Sequence, residues 1–276
     1  MSRVKIIIPL LIAFTLLTLV WGWGGNGGER YLLTGSSTIA PIMAEIAVRL
    51  REKNPGLKID VQTGGSTRGI ADTRDGRNNA GMASRDLSAD EAEGLDVYSI
   101  GYDGIAIIVN ADNPITELSS EQVRHLFTKD ITQWETISSH KKAVRIINKA
   151  EGRATLEVFL THFNLENRQI QADAVIGDNA QGVRLIAADP QAIGYISIGE
   201  ALHAKGRGTP IKLLTLDGVH PTPSTVADGS YPIRRTLYLF FRDKADDQGK
   251  KILAYLQNAE GRKIIQGLGF VPADTL

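Results

Sequence analysis

Three short polar segments, rich in glycine and hydroxyl side chains, are the parts of this sequence best suited to chemistry. They are residues 34–41 (TGSSTIAP), 64–69 (GGSTRG) and 149–155 (KAEGRAT). Each lies where the pattern predicts that a strand ends and a helix begins. The first N–H groups of a helix have no intrahelical partner and carry partial positive charge. Three such helix starts meeting at one point would bind an oxyanion, so the pattern predicts a receptor for a small anion.

The composition is that of an ordinary globular protein, and it excludes several functional classes. The 276 residues carry 31 Lys and Arg against 31 Asp and Glu, so the formal net charge is +0. This balance argues against a nucleic-acid partner, which normally requires a strongly basic domain or stripe. The sequence has no cysteine, which excludes disulfides, thiolate metal sites and a lipid-modified cysteine anchor. The length favours two domains.

Residues 1–28 have the pattern of a secretory signal. Arg3 and Lys5 precede an unbroken apolar stretch at 6–20, and a glycine-rich segment at 21–28 follows. No small-x-small cleavage site is evident before Trp21, and the apolar stretch nearly reaches the roughly 20 residues that span a bilayer. We therefore expect a periplasmic or other extracytoplasmic protein. Its N-terminus is either a cleaved signal peptide or an uncleaved signal anchor that tethers it to the membrane.

After this segment, short apolar strands alternate with amphipathic helices. The first predicted strands are 30–33, 57–62 and 78–83. Helices separate them, and this βαβαβ order is typical of a parallel sheet. Two apolar strands, at 102–110 and 236–241, bracket a second α/β unit, and a single closing helix is predicted at 246–266. The expected fold class is α/β with two lobes.

Six short motifs occur in an order and spacing seen in one protein family. They are GSST at 35–38, GGST at 64–67, GMASRDL at 81–87, DGIA at 103–106, AIGYIS at 192–197 and YPIRR at 231–235. In these motifs the chain resembles the phosphate-binding receptors of bacterial phosphate ABC transporters, over nearly the whole sequence after residue 28. No single motif is specific, but their shared order is.

The resemblance implies a type II periplasmic binding protein, in which two α/β lobes, each a mainly parallel sheet with flanking helices, are joined by two crossing strands. Lobe one would comprise residues 29–110 and 226–276, and lobe two residues 111–225. The implied function is capture of inorganic phosphate, or a similar oxyanion, between the lobes and its delivery to a membrane ABC permease. We expect a monomer without cofactor or enzymatic activity.

The resemblance also implies a set of ligand-binding residues. The first loop would contribute Ser37, Thr38 and the backbone N–H of Ile39, and the second would contribute Ser66 and Thr67. The other predicted site residues are Ser84, Arg85, Asp103, Lys149, Arg153, Ala154 and Thr155.

The third loop departs from the family pattern Arg-x-x-Gly-Ser-Gly-Thr. Lys149 stands in place of the arginine that would pair with the anion, and Arg153 stands in place of the serine. A lysine is a point charge and lacks the planar fork of an arginine. Arg153 would either restore the lost charge or block the pocket, and both interpretations remain open.

Selectivity for phosphate over sulfate requires a buried acceptor for the proton that phosphate still carries at neutral pH. Some family members have an aspartate at the position of Arg85, whereas many have the Ser-Arg pair found here. The remaining candidates are Asp86, Asp103 and Glu151. Asp103 ranks first because it opens the apolar strand beside the hinge.

Each candidate also has a purely structural interpretation. Ser36, Ser37 and Thr38 could be helix caps, 64–67 a turn, and the basic side chains solvated surface charges. The five histidines show no metal-ligand spacing, and neither a Gly-x-x-x-x-Gly-Lys loop nor a Gly-x-Ser-x-Gly motif occurs. The alternative function keeps the fold but assigns an extracytoplasmic sensor or interaction module that binds another oxyanion or none.

Overall fold

The computed structural model of the protein describes residues 30–139 and 141–274. The predicted signal at 1–28 lies outside the described residues. Within them, no helix is both long enough and apolar enough to cross a membrane.

Strands and helices alternate along the chain, as the sequence pattern predicts. The first elements are β1 (Arg30–Gly35), α1 (Ala40–Lys53), β2 (Lys58–Thr63), α2 (Ser66–Arg74), β3 (Ala80–Ala83), α3 (Ala89–Ala92) and β4 (Leu95–Asn110). The middle elements are β5 (Glu117–Leu118), α4 (Ser120–Phe127), β6 (Arg145–Lys149), α5 (Ala154–Phe163), β7 (Ala174–Ile176), α6 (Asn179–Ala188), β8 (Ala192–Ser197), α7 (Ile198–Gly206), β9 (Ile211–Leu213) and β10 (Thr215–Leu216), with 3₁₀ turns at Trp134–Thr136 and Asn167–Gln169. The last elements are α8 (Pro223–Ala227), β11 (Arg234–Arg242), α9 (Asp247–Gln257), α10 (Ala259–Gly267) and β12 (Val271–Pro272).

Parallel pairing places the predicted loops at one edge of the sheet. β1 lies between β2 and β3 and is parallel to both, and β6 lies parallel to β7 and β8. The loops that lead into α1, α2 and α5 leave from the carboxyl ends of β1, β2 and β6. In parallel sheets these ends lie along the same edge, where ligands usually bind.

Two antiparallel strands join the two halves of the molecule. The sixteen-residue strand β4 pairs with β11 along its first part and with β8 and β9 along its second. The resulting sheet order is β2-β1-β3-β11-β4-β8-β6-β7. In the register of β4 with β11, Arg235 stands opposite Asp103, so the crossing strands place an ion pair between the halves.

Each half has its own hydrophobic core. One core includes Leu33, Ile42, Ile46, Leu237, Leu239 and Ile252, and we call the part built on it lobe one. The other includes Ile107, Phe127, Trp134, Phe159, Ile193 and Tyr195, and we call the part built on it lobe two. The apolar residues 105–109 and Val226 pack on the second core, close to the predicted lobe boundaries at 110 and 226. The boundaries themselves stay a prediction.

The closing segment differs from the predicted single helix at 246–266. It forms α9 and α10, because Asn258 takes an extended conformation (φ −70°, ψ 167°) between them. Its side chain accepts hydrogen bonds from the N–H groups of Glu260 and Gly261, both at 2.9 Å, and caps α10. Apolar residues continue at helical spacing across the break, which conceals it in the sequence.

Candidate functional site

The N-termini of α1, α2 and α5 meet around one small cavity between the lobes. It is lined by Ser36, Ser37, Thr38, Gly65, Ser66, Ser84, Lys149, Arg153, Ala154, Thr155 and Gly177. The first two helices belong to lobe one and the third to lobe two. All three segments that the sequence singles out therefore contribute to one site.

These three helices begin differently from the others. Among the ten α-helices of the described residues, the N-cap side chains that accept a backbone N–H are Ser88, Ser119, Asp178, Ser197, Thr222, Asp246 and Asn258. α1, α2 and α5 instead have Ile39, Gly65 and Arg153 at the N-cap, none of which makes a side-chain capping bond. Residues at all three starts line one cavity, and helix N-termini that meet at a cavity are an arrangement that binds anions.

Two glycines bring the loops into contact. The carbonyl oxygen of Gly35 (φ +133°) accepts the N–H groups of Gly64 and Gly65, both at 3.0 Å, and this ties the first loop to the second. Gly65 (φ +96°) packs closely on the third loop, where an added Cβ would lie 2.3 Å from the carbonyl oxygen of Gly152. A side chain at either glycine would be strained and would force the neighbouring backbone apart.

A chain of serine hydroxyls continues the contact between the first two loops. Ser36 Oγ donates to Ser84 Oγ at 2.9 Å, and the N–H of Ser84 donates to Ser66 Oγ at 3.2 Å. Ser36 Oγ also accepts the N–H of Thr38 at 3.2 Å. These side chains are buried, so their remaining hydrogen-bonding capacity is directed toward the cavity and not toward bulk water.

A buried ion pair lies directly behind the hydroxyls. Arg235 donates from Nε and Nη2 to Asp103 Oδ2, at 3.0 and 2.7 Å, and both side chains are almost inaccessible to solvent (1% and 0% exposed). The same guanidinium donates from Nη2 to Thr38 Oγ1 at 3.0 Å and from Nη1 to Thr155 Oγ1 at 2.9 Å. Arg235 therefore orients one hydroxyl from each lobe.

The hydroxyl of Thr38 is fixed as a donor toward the cavity. Its oxygen accepts from Arg235 and also from Asn179 Nδ2, at 3.3 Å. A hydroxyl has two acceptor positions and one hydrogen. The nitrogens of Arg235 and Asn179 that contact it are donors and cannot accept that hydrogen. The O–H of Thr38 is thus free for a ligand with acceptor oxygens.

Lys149 at the end of β6 has a buried amine, which no carboxylate pairs with in the described residues. Its residue is 2% exposed, and its Nζ donates to Asn179 Oδ1 at 3.0 Å. Burial lowers the pKa of Lys149 to about 7, and the charge of Arg235 adds to this effect. Asp178 opposes the shift and Arg153 strengthens it, so neighbouring charges do not restore the ordinary pKa of the amine.

Arg153 extends between the second loop and the segment before α6. Its Cδ lies near Gly65 and its Nη2 near Gly177, where an added Cβ would come within 3.0 and 3.1 Å of them. Its Nη1 is buried and has no hydrogen-bond partner within the described residues. A guanidinium nitrogen left without an acceptor at the lining of a cavity is suited to pair with an anion there.

Most of the predicted ligands line this cavity. Those that do are Ser37, Thr38, Ser66, Ser84, Lys149, Arg153, Ala154 and Thr155, while Ile39 is the buried N-cap residue of α1. Thr67, Arg85 and Asp103 are not part of the lining. Asp103 lies behind Arg235, as described above.

Thr67 and Arg85 instead contact Glu157 on α5. Thr67 Oγ1 donates to Glu157 Oε1 at 3.3 Å, and Arg85 Nε lies 2.5 Å from Glu157 Oε2. Arg85 also pairs with Glu91, at 2.7 Å. We call the contacts of Thr67 and Arg85 with Glu157, together with the Arg85–Glu91 pair, the Glu157 bridge. It connects lobe one to lobe two beside the cavity.

The carboxylates proposed as proton acceptors have other partners. Asp103 Oδ1 accepts the N–H of Gly199 at 3.4 Å, in addition to the bonds of Oδ2 to Arg235. Asp86 accepts from Tyr238 Oη at 2.8 Å, and Glu151 from Asn167 Nδ2 at 3.0 Å. None of the residues found to line the cavity in the described chain has a carboxylate.

Comparison with known proteins identifies the family. The PBP superfamily domain matches residues 25–260, most of the chain. The chain belongs to the PBP superfamily.

Three relatives are similar over nearly the whole of their own lengths. The phosphate-binding protein PstS of Bacillus subtilis is 27% identical, over 99% of this chain and 95% of its own. A phosphate ABC transporter substrate-binding protein from Clostridium perfringens, solved with bound phosphate, has a TM-score of 0.83 at 25% identity, covering 89% of this chain and 100% of that one. An ABC-type phosphate transport receptor from Vibrio cholerae has a TM-score of 0.68 at 26% identity, with the same coverage. The predicted resemblance and the two-lobed type II periplasmic binding fold are confirmed.

The sequence-based ligand set lacks the lining residues Ser36, Gly65 and Gly177. It also lacks Arg235 and Asn179, which bond to lining side chains. Arg235 belongs to a quoted motif, but strand alternation shows only that one of Arg234 and Arg235 points inward. The register with Asp103 is needed to choose between them. Asn179 follows Asp178, the N-cap of α6, and no sequence motif marks it as a site residue. Its role depends on the tertiary contact between its side chain and Lys149.

Proposed function

We propose that this protein is an exported solute-binding protein that captures inorganic phosphate between its lobes and delivers it to a membrane ABC permease. The observation that supports this most strongly is the meeting of three helix N-termini without side-chain caps at one cavity. Their N–H groups, together with the O–H of Thr38, present donors from both lobes. A tetrahedral oxyanion accepts hydrogen bonds from several directions at once and fits such a site.

The charges around the cavity also favour a dianion. Lys149 and Arg153 are basic groups of the lining, and Arg235 lies behind it, where Asp103 neutralises its charge. Lys149 and Arg153 form no ion pair with the described residues. Buried charge is costly unless it is paired, so an anion that binds between these groups stabilises their charged forms.

The named relatives support the same function. They are phosphate-binding proteins and phosphate transport receptors, which makes a binding role without enzymatic activity the natural assignment. A permease partner, a monomeric state and an extracytoplasmic location complete the proposal. The location is supported by the signal pattern of residues 1–28, with cleavage and membrane tethering both compatible with it.

Calorimetric titration of the purified protein with phosphate, followed by sulfate, tests this function. We expect a phosphate dissociation constant of about 1 µM or tighter, which corresponds to about 8 kcal/mol of binding free energy. Lys149→Met should remove most of this affinity, whereas Lys142→Met, at an exposed lysine, should leave it unchanged. If millimolar phosphate produces no binding heat and no shift in melting temperature, the transport function is rejected in favour of a sensor or interaction module.

A further inference from the structure

Lys149 is the one cation of the site whose charge can change. A guanidinium is not deprotonated in proteins, whereas a buried amine can be. We propose that Lys149 takes up a proton when the anion binds, so that occupation of the site is coupled to pH through this side chain. The proposal rests on the proposed anion-binding function and deepens it.

The surroundings of Lys149 disfavour its charged form in the empty site. The side chain is buried, its Nζ has an uncharged hydrogen-bond partner in Asn179, and two guanidiniums lie on the α5 and β11 sides. Like charges in a medium of low polarity repel strongly. An uncharged amine can still donate to the amide oxygen of Asn179, so loss of the proton leaves no buried donor without a partner.

The acidic groups nearby do not reverse this preference. Asp178 precedes α6, and its Oδ1 accepts the N–H of Gln181 at 2.8 Å. Glu200 on α7 is itself in an environment that raises its pKa, with burial as the main cause. Asp103 on β4 is paired with Arg235. Together these groups leave the pKa of Lys149 near 7, well below that of a solvated lysine.

An anion in the cavity reverses the balance. It places negative charge among Lys149, Arg153 and Arg235, and an opposite charge within a few ångströms favours the protonated amine. For hydrogen phosphate at alkaline pH, a new N–H bond forms on Nζ with a proton taken from water or buffer, and the ligand remains a dianion. For dihydrogen phosphate, the ligand supplies that proton itself and becomes the dianion in the site.

Proton uptake has a defined sign in the affinity. Above the pKa that Lys149 has in the empty site, this side chain must gain a proton before the protein binds a dianion tightly. The dissociation constant for a dianion should therefore rise with pH, by up to about tenfold per unit, between about pH 7.5 and 9. A site with a permanently charged group in this position would show no such rise.

Calorimetry in two buffers of different ionisation enthalpy measures this proton directly. At about pH 8.5, where the free ligand is hydrogen phosphate, we expect uptake approaching one proton per phosphate bound. Lys149→Arg keeps the charge but cannot release the proton, so it should bind without buffer-dependent heat and with an affinity that is flat over this pH range. Lys142→Arg, at an exposed site, is the matched control and should behave like the parent protein.

The outcomes separate the two proposals. Failure of the parent protein to bind phosphate overturns the proposed function and this coupling with it. Binding with the same heat in both buffers overturns the coupling alone. Proton uptake that persists in Lys149→Arg and disappears in Glu200→Gln also overturns it, because the proton then goes to Glu200. If Lys149→Arg does not fold, the ¹³Cε chemical shift of Lys149 in the parent protein decides the question. It must report a neutral amine in the empty site and a charged one in the occupied site at the same pH.

Discussion

Thr38 and Thr67 lie at the starts of two neighbouring helices but have different surroundings. Thr38 is 1% exposed, and its hydroxyl accepts from Arg235 and Asn179. Thr67 is exposed, and its hydroxyl donates to Glu157 instead. The two side chains therefore form a natural pair for separating ligand contact from contact between the lobes.

Thr38→Ala should weaken phosphate binding strongly, and Thr67→Ala should weaken it little. A lost hydrogen bond to a charged ligand costs about 1.5 to 3 kcal/mol, which is roughly 10- to 150-fold in affinity. The exposed hydroxyl of Thr67 contributes less, because water can replace its single bond to Glu157. Titration calorimetry of both variants checks this order. Equal losses would show that Thr67 also reaches the anion, as the sequence predicts.

Arg153 supplies the second residue-scale prediction. Its Nη1 is buried without a hydrogen-bond partner within the described residues, so an anion can take that position. Arg153→Ser should reduce phosphate affinity by about 1.5 to 3 kcal/mol, although it restores the residue of the family pattern. Arg51→Ser, at an exposed position on α1, serves as the control. Tighter binding by Arg153→Ser would show that the side chain obstructs the site.

Single residues mark the limit of what the sequence predicts about this site. Ser66 and Thr155, in the first turns of α2 and α5, follow recognisable helix-start patterns, and they do line the cavity. Arg85 has the right chemistry and a suitable position in its motif, yet it pairs with Glu91 and Glu157. Which acid a basic side chain meets depends on tertiary packing between lobes, and local spacing carries no information about it.

On the scale of elements, the Glu157 bridge joins α5 to the lobe that carries α1 and α2. Besides its side-chain contacts, the N–H of Thr67 donates to the carbonyl oxygen of Gly152 at 3.4 Å. These bonds hold the N-termini of α2 and α5 together without passing through the cavity. They therefore stabilise the arrangement of helix starts to which an anion binds.

Glu157→Gln should weaken phosphate binding modestly and in a salt-dependent way. The variant keeps an acceptor for Thr67 but loses the charge that faces Arg85, a partly exposed pair worth about 0.5 to 1 kcal/mol. We expect a two- to fivefold weaker affinity at low salt, mostly through faster dissociation, and a smaller difference at high salt. Stopped-flow kinetics with Glu135→Gln as the exposed control measures this. Identical dissociation rates at low salt would remove the bridge from the binding mechanism.

Most elements could be predicted from the sequence because their apolar periodicity is strong. The strand predicted at 57–62 is found at Lys58–Thr63, and the apolar strand predicted at 102–110 ends at Asn110, as the pattern places it. The break between α9 and α10 could not be predicted in this way. It depends on one backbone conformation at Asn258, while the apolar pattern runs on through it.

At the scale of the whole molecule, ligand binding should appear as thermal stability. With a dissociation constant of about 1 µM, about 1 mM phosphate stabilises the folded state by roughly 4 kcal/mol. For a protein of this length, that raises the melting temperature by roughly 8 to 16 °C. Differential scanning fluorimetry checks this value, and Lys149→Met should show almost no shift. A large shift in that variant would indicate stabilisation by phosphate outside the described site.

The helix starts at Ile39, Gly65 and Arg153 also have a consequence for hydrogen exchange. Because no side chain caps them, a bound anion would serve as one shared cap for three helices in two lobes. Among the amide hydrogens at the starts of α1, α2 and α5, those without a partner in the described residues should then exchange rapidly in the empty protein. They should slow together, in fixed proportion, as phosphate is added. A partner that contacts these turns could in this way distinguish loaded from empty protein by their local order, before any movement of the lobes.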